Sequence, residues 1–182
     1  MTKMKANKPS IVLVRPQLPE NIGMVARAMD NFGLENLILV NPRENWPNDT
    51  AIKSSANSKE IILKAKVFKS LDKALSKFHF VIATSNRKRF LNKPHQNDME
   101  KLFDYFPQKK RTAFLFGPEN SGLSNEDLIL ADLIFNINTA KSNTSLNLSH
   151  AVLLISFNWR NFINIKKNKY KKISVFNNNA EK

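Results

Sequence analysis

Cysteine is absent from this 182-residue chain. Disulfides, cysteine-based zinc sites and a catalytic thiol are therefore excluded. Histidine occurs only at His79, His95 and His150, scattered positions that make poor material for a metal site, so no metal is expected. The basic start, Met1 to Ser10, is not followed by an apolar stretch with a small-residue cleavage site. No apolar run reaches the roughly 18 residues of a membrane span. The expectation is a soluble cytoplasmic protein with no membrane partner. Neither a Walker A loop nor a Gly-x-Gly-x-x-Gly turn occurs, so NTP hydrolysis and dinucleotide binding lose support. Acidic residues are outnumbered: 15 Asp and Glu stand against 29 Lys and Arg, a net charge of +14. That excess suggests a polyanionic partner, nucleic acid ahead of an anionic membrane surface; general solubility charge is the plainer reading.

At 42% hydrophobic the chain can build a core, and its length suits one domain. Short apolar runs of the buried-strand kind occur at 11–14, 37–40, 80–83, 112–116 and 133–137. Helical patterns separate them. One runs from Met24 to Phe32, with Gly33 placed to end it. Another spans Leu71 to Phe78 behind Ser70, and a third lies around Asp98 to Phe103. Ser124 followed by Asp127 resembles a capping box for a helix reaching Ala131. A last long helix is expected over Ser145 to Phe162. Lys166 to Lys182 is Lys- and Asn-rich and reads as a solvated, partly disordered tail. The alternation predicts an α/β fold, a parallel sheet flanked by helices on both faces. Ligands of such sheets bind at the carboxyl ends of strands. The candidate loops are then 15–21, 84–89, 117–122 and 138–147.

Three segments concentrate polar residues in apolar surroundings. In Pro19 to Arg27, Asn21 stands just before the helix and reads as an N-cap. Arg27 is either aimed into a cleft or snorkelling to solvent. In Phe116 to Leu123, two glycines flank Glu119 between a strand and a helix. Such a loop either lets backbone approach a ligand closely or is a plain turn. In Asn143 to Ala151, Ser145 is a candidate N-cap or nucleophile, although no Gly-x-Ser-x-Gly elbow supports the latter. Asn147 is harder to explain by capping alone, and His150 reads as a packed or partly exposed side chain.

Taken together these segments resemble the SpoU/TrmH group of the SPOUT RNA ribose 2′-O-methyltransferases. The Asn-x-Gly-x-x-x-Arg motif is matched by Asn21, Gly23 and Arg27. Phe-Gly-x-Glu-x-x-Gly-Leu is matched by Phe116, Gly117, Glu119, Gly122 and Leu123. Ser-Leu-Asn before an apolar helix is matched by Ser145, Leu146 and Asn147. Order and spacing agree over about residues 10 to 162. Within the group, the stretches 36–42, 83–89 and 123–128 are similar to the TrmJ-type tRNA branch, which methylates the ribose of the first nucleotide of the anticodon loop.

The resemblance implies a trefoil knot in the C-terminal half, a homodimer, and S-adenosylmethionine bound by the knot loops. Carried over to this chain, Thr84, Ser85, Asn86, Gly117, Glu119, Ile137, Thr144, Ser145 and Leu146 would line the cofactor pocket. Arg27 would act as base or activator for the ribose 2′-hydroxyl. Asn21, Glu119, Ser145 and Asn147 would position Arg27, the RNA phosphate and the ribose. The implied partner is tRNA, with rRNA or another tRNA nucleotide as the alternative, and an inactive RNA-binding module as a third reading. Many TrmJ-type proteins carry a further C-terminal helical region; here a short basic tail is expected to grip RNA weakly. Two positions depart from the family's pattern. Asn138 and Ala140 stand in a loop where the family often has Pro, and Phe157-Asn158 stands where it often has Tyr-Glu. The first bears on the cofactor loop and the second on dimer or knot packing.

Overall fold

A computed structural model describes residues 8–87, 92–107, 110–140, 142 and 144–179, with side chains in the last helix through residue 165. The described strands are β1 (Ser10–Val14), β2 (Leu37–Val40), β3 (Lys66–Phe68), β4 (Phe80–Thr84), β5 (His95–Gln96), β6 (Thr112–Phe116) and β7 (Leu133–Phe135). They form one sheet in the order β3-β2-β1-β6-β4-β7-β5, and every pairing is parallel. The strands read as unbroken apolar runs because both faces of the sheet are covered. Ile11, Leu13, Leu39, Phe114 and Phe116 point to one core, and Val12, Val14, Val40, Ala113 and Leu115 to the other. Each fully buried side chain of this size contributes about 1.5–3 kcal/mol.

The first core lies under α1 (Pro19–Asn31), α2 (Asp49–Ser54), α3 (Lys59–Leu63), α5 (Met99–Leu102) and α7 (Leu148–Asn179); the second lies under α4 (Leu71–Leu75) and α6 (Asn125–Ile129). Helices therefore flank both faces, as the alternation predicts. Over the first core, aromatic rings fasten α7 down. Phe103 stacks on Phe162 at 5.2 Å and Phe106 on Trp159 at 5.4 Å, while Phe103 meets Phe114 of β6 edge-on. Such pairs add about 0.5–1.5 kcal/mol beyond burial.

Several boundaries differ from the sequence reading. Helix α1 begins at Pro19, not Met24; proline suits a first turn, whose N–H has no helical partner. Asn21 is consequently inside the helix and buried, not its cap. The other end is as expected. Gly33 has φ +76°, with Gly33 N–H donating to Asp30 and Leu34 N–H to Met29, the paired bonds of a Schellman stop. Helix α7 starts at Leu148, so Ser145 does not cap it; Asn147 does, its Oδ1 accepting from Ser149 N at 2.8 Å. It also runs past Phe162 to Asn179. Neither Pro nor Gly follows Phe162, and the lysines there are good helix formers, so nothing halts the helix. The expected tail from Lys166 is thus helical backbone through Asn179; its side chains and residues 180–182 lie outside the described residues.

Candidate active site

Three neighbouring strands, β6, β4 and β7, send their carboxyl-terminal loops to one cavity of about 300 Å³. Thr84, Ser85 and Asn86 come from the loop after β4, and Gly117 and Glu119 from that after β6. Ile137 follows β7, and Thr144, Ser145 and Leu146 lead into α7. All nine residues expected to line a cofactor pocket therefore share one wall. Phe116, Leu123 and Leu148 add apolar surface, and Arg87 a cation.

The loops are held by hydrogen bonds between them. Thr84 Oγ1 donates to the Leu115 carbonyl at 2.8 Å, and Asn86 Nδ2 to the Thr144 carbonyl at 2.6 Å. The loop after β6 closes tightly. A Cβ on Gly117 would lie 2.2 Å from Leu123 N and 2.3 Å from the Gly122 carbonyl carbon, and Gly122 itself has φ +66°. At 117 only glycine fits without moving backbone, and at 122 the positive φ favours glycine.

Glu119 joins this loop to the segment after β1. Its carboxylate accepts from Gln17 N at 2.8 Å, Leu18 N at 3.3 Å and Asn21 Nδ2 at 2.8 Å. Asn21 Oδ1 in turn accepts from Asn147 Nδ2 at 3.1 Å. Asn147 Oδ1 accepts from the Ser149 hydroxyl and N–H. A continuous chain of charge-assisted and neutral hydrogen bonds thus runs from the cavity to the start of α7 through a 3% exposed asparagine. Asn21 and Asn147 do not line the cavity; they reach it through Glu119. Asn143 lies outside the described residues.

A second carboxylate fixes the same segment from the other face. Arg15, at φ +48°, pairs both guanidinium nitrogens with Asp127. Asp127 also completes the capping box of α6 with Ser124, as the sequence predicts. Burial pushes the Asp127 carboxyl up, but hydrogen bonds from Arg15 and Ser124 outweigh it and hold the group below its ordinary range. The Arg15 role was not legible in sequence, since its partner is 112 residues away.

Arg27 is not part of this assembly. It is exposed on α1 and lines neither described cavity, and its side chain makes no hydrogen bond or ion pair with the described residues. Of its two readings, the side chain follows the solvent-facing one. Gly23, the middle residue of the same motif, has a packing reason. A Cβ there would lie 2.0 Å from Ser54 Oγ and 2.4 Å from the Ala51 carbonyl oxygen, so α1 and α2 touch through it. Among the described residues no cluster of three or more acidic or histidine side chains is arranged for a metal, and no helix is long and apolar enough to cross a membrane.

A parallel sheet with polar loops meeting at its carboxyl edge, and residues of all three motifs joined there through Glu119, Asn21 and Asn147, fits the family comparison. The profile of the SpoU rRNA methylase family matches residues 8–157, and the chain belongs to that family. It is similar to the tRNA (cytidine/uridine-2′-O-)-methyltransferase TrmJ of Photorhabdus laumondii, 40% identical over 82% of this chain and 63% of the relative. The tRNA (cytidine-2′-O-)-methyltransferase TrmJ of Methanocaldococcus jannaschii is 34% identical over 81% of this chain and 65% of its own length. The crystal structure of TrmJ from Z. mobilis ZM4 superposes with a TM-score of 0.78 at 39% identity, covering 84% of this chain and 69% of that one. The chain thus spans a little under two thirds of the length of the two curated relatives.

Proposed function

We propose that this chain is an S-adenosylmethionine-dependent ribose 2′-O-methyltransferase that acts as a homodimer on tRNA, at a pyrimidine opening the anticodon loop. The carrying observation is the cavity itself: nine residues from three separated segments meet around it. Its chemistry suits the cofactor. Phe116, Ile137 and Leu146 offer apolar surface to a nucleoside, Thr84, Ser85 and Asn86 offer polar groups to its hydroxyls, Arg87 suits a carboxylate, and Glu119 suits a cation. Bound there, S-adenosylmethionine supplies an electrophilic methyl group on a positively charged sulfur. The reading includes a trefoil knot, carried over from the family resemblance.

The protein's own task is positioning. Glu119, Asn21 and Asn147 hold the loop after β1 and the start of α7 as one rigid unit beside the cavity. A ribose hydroxyl is a weak nucleophile that must lose its proton during attack. A guanidinium such as that of Arg27 holds its proton too firmly to serve well as a base. Its role here is to stabilise the developing alkoxide and orient the neighbouring phosphate. Because Arg27 lines neither described cavity of its own copy, this role needs a second copy. Leu18, Met24, Leu153 and Phe157 are exposed on α1, its entry and α7, an apolar face that a partner would cover. Arg27 follows Met24 by one helical turn and is carried to that face. A stable monomer in light scattering would count against the arrangement.

The net charge of +14 supports a grip on the RNA backbone. The test is methyl transfer from labelled S-adenosylmethionine to total tRNA and to rRNA, with the product nucleoside identified by mass spectrometry. A 2′-O-methylated pyrimidine from the anticodon loop is the expected product. Label in rRNA alone overturns the substrate, and no cofactor binding overturns the enzyme reading.

A further inference from the structure

A second cavity lies beside the first, sharing Ile137 as a common wall. It sits at the carboxyl ends of β7 and β5, where sheets of this type place ligands. Its floor is apolar: Phe135 is fully buried, and Met99 and Leu154 stand at the sides. Its rim carries Asn138 and Asn158. These are two of the positions at which the chain departs from the family's pattern, and they come from elements 20 residues apart in sequence.

The rim is rich in uncommitted acceptors. Asn138 spends its Nδ2 on the Asn97 carbonyl at 3.2 Å, and Asn158 spends its Nδ2 on the Leu154 carbonyl at 2.9 Å. Each leaves its Oδ1 without a partner among the described residues. Glu100 adds an exposed carboxylate whose side chain has no partner there either. Asp98, by contrast, is occupied in capping α5 and pairing with Lys101. Two carboxylates on the rim disfavour a phosphate. The ligand that fits is neutral, flat enough for an apolar floor, and a hydrogen-bond donor.

A base is joined to the sugar carbon next to the one that bears the 2′-hydroxyl. Its seat must therefore adjoin the cavity where the hydroxyl reacts. We propose that the second cavity seats the base of the nucleotide being methylated, and that Asn138, Asn158 and Glu100 select a base with an exocyclic amino group, cytosine over uracil. Carboxylates and amide oxygens accept from the cytosine amino group, whereas uracil presents a carbonyl oxygen at that position. A cavity with an apolar floor and polar groups on its edge is how proteins hold an unstacked base. This proposal rests on the ribose-methyltransferase reading and names its base preference.

The test keeps the two apart. The 182-residue chain, labelled with nitrogen-15, is titrated by NMR with cytidine, with uridine and separately with S-adenosylmethionine. Cytidine is expected to shift the side-chain amide signals of Asn138 and Asn158 at about tenfold lower concentration than uridine. Glu100→Gln and Asn158→Ala should each narrow that gap to within about threefold and leave the S-adenosylmethionine titration unchanged. Equal response to both nucleosides, no response to either, or a preference that survives both substitutions overturns the proposal. Cofactor binding and methyl transfer to RNA report on the underlying reading; nucleoside shifts at these two asparagines report on the cavity alone.

Discussion

On its inner side α1 presents Asn21, Ile22, Gly23, Val25, Ala26 and Met29 to the sheet, α2 and α7, all buried. On its outer side Glu20, Met24, Arg27 and Asn31 stand exposed at helical spacing. The inner side is specified atom by atom. Gly23 touches α2, and Asn21 is bonded at both ends of its amide. The outer side is specified by nothing in its own fold. One helix thus carries a motif whose first two residues serve the local structure, while its third, Arg27, has no structural task there. Selection for a fold alone accounts for Asn21 and Gly23; Arg27 needs a reason outside the single copy.

The strongest way to break the inner side is Gly23→Ala. Two of the three atoms that its Cβ would meet are backbone and cannot rotate away. Overpacking of this kind should cost about 3 kcal/mol, read as a lowered denaturation midpoint; a midpoint equal to wild type would refute the close contact. On the outer side Arg27→Ala should leave that midpoint and cofactor affinity unchanged but lower turnover by about 100-fold or more. Mixing this variant with a cavity-disrupted Gly117→Ala copy should restore turnover. No restoration would confine Arg27 to its own copy.

Glu119→Gln probes the link between the helix and the cavity. The amide keeps one acceptor but sets an NH₂ group among the donors Gln17 N, Leu18 N and Asn21 Nδ2. A loss of about 1–3 kcal/mol in stability and weaker cofactor binding by calorimetry are expected. Unchanged values in both would remove Glu119 from the positioning role. The smallest effect concerns acid. Because the folded Asp127 carboxyl titrates below its ordinary value, its contribution is complete above that ordinary value and fades as pH falls through the lower folded one. Asp127→Asn should lower stability at neutral pH and flatten the acid limb of a stability profile. An acid limb identical to wild type would show that other carboxylates set it.

How far the sequence was legible depended on whether the signal was local. Ile11–Val14, Leu37–Val40 and Thr112–Phe116 could be read as strands because two-sided burial leaves an unbroken apolar run. The capping box at Ser124 and the glycine stop at Gly33 were legible for the same reason: both partners lie within a turn of each other. Strand β5 was not, because His95 and Gln96 carry no apolar signal and join the sheet through backbone bonds beside β7. Nor was α2, whose Ala51 and Ser54 crowd Gly23 only on folding, from 28 and 31 residues further along the chain. At the site, motif order brought the cavity residues together. The placing of Asn138 and Asn158 around one cavity, and the exposure of Arg27 outside the first cavity, were set by three-dimensional packing that no run of residues encodes.

Strand β6 lies between β1 and β4, so it joins the half of the sheet made first to the half completed later. On the ribosome, β1 is finished at Val14, but its second neighbour does not begin until Thr112. Throughout that interval the nascent chain holds β1 and then β4 with bare edges able to pair with any other strand. The sheet cannot close until one late five-residue segment slides into a slot flanked on both sides. That makes the timing of its emergence, and any chaperone present before it, a determinant of how much of this protein a cell obtains.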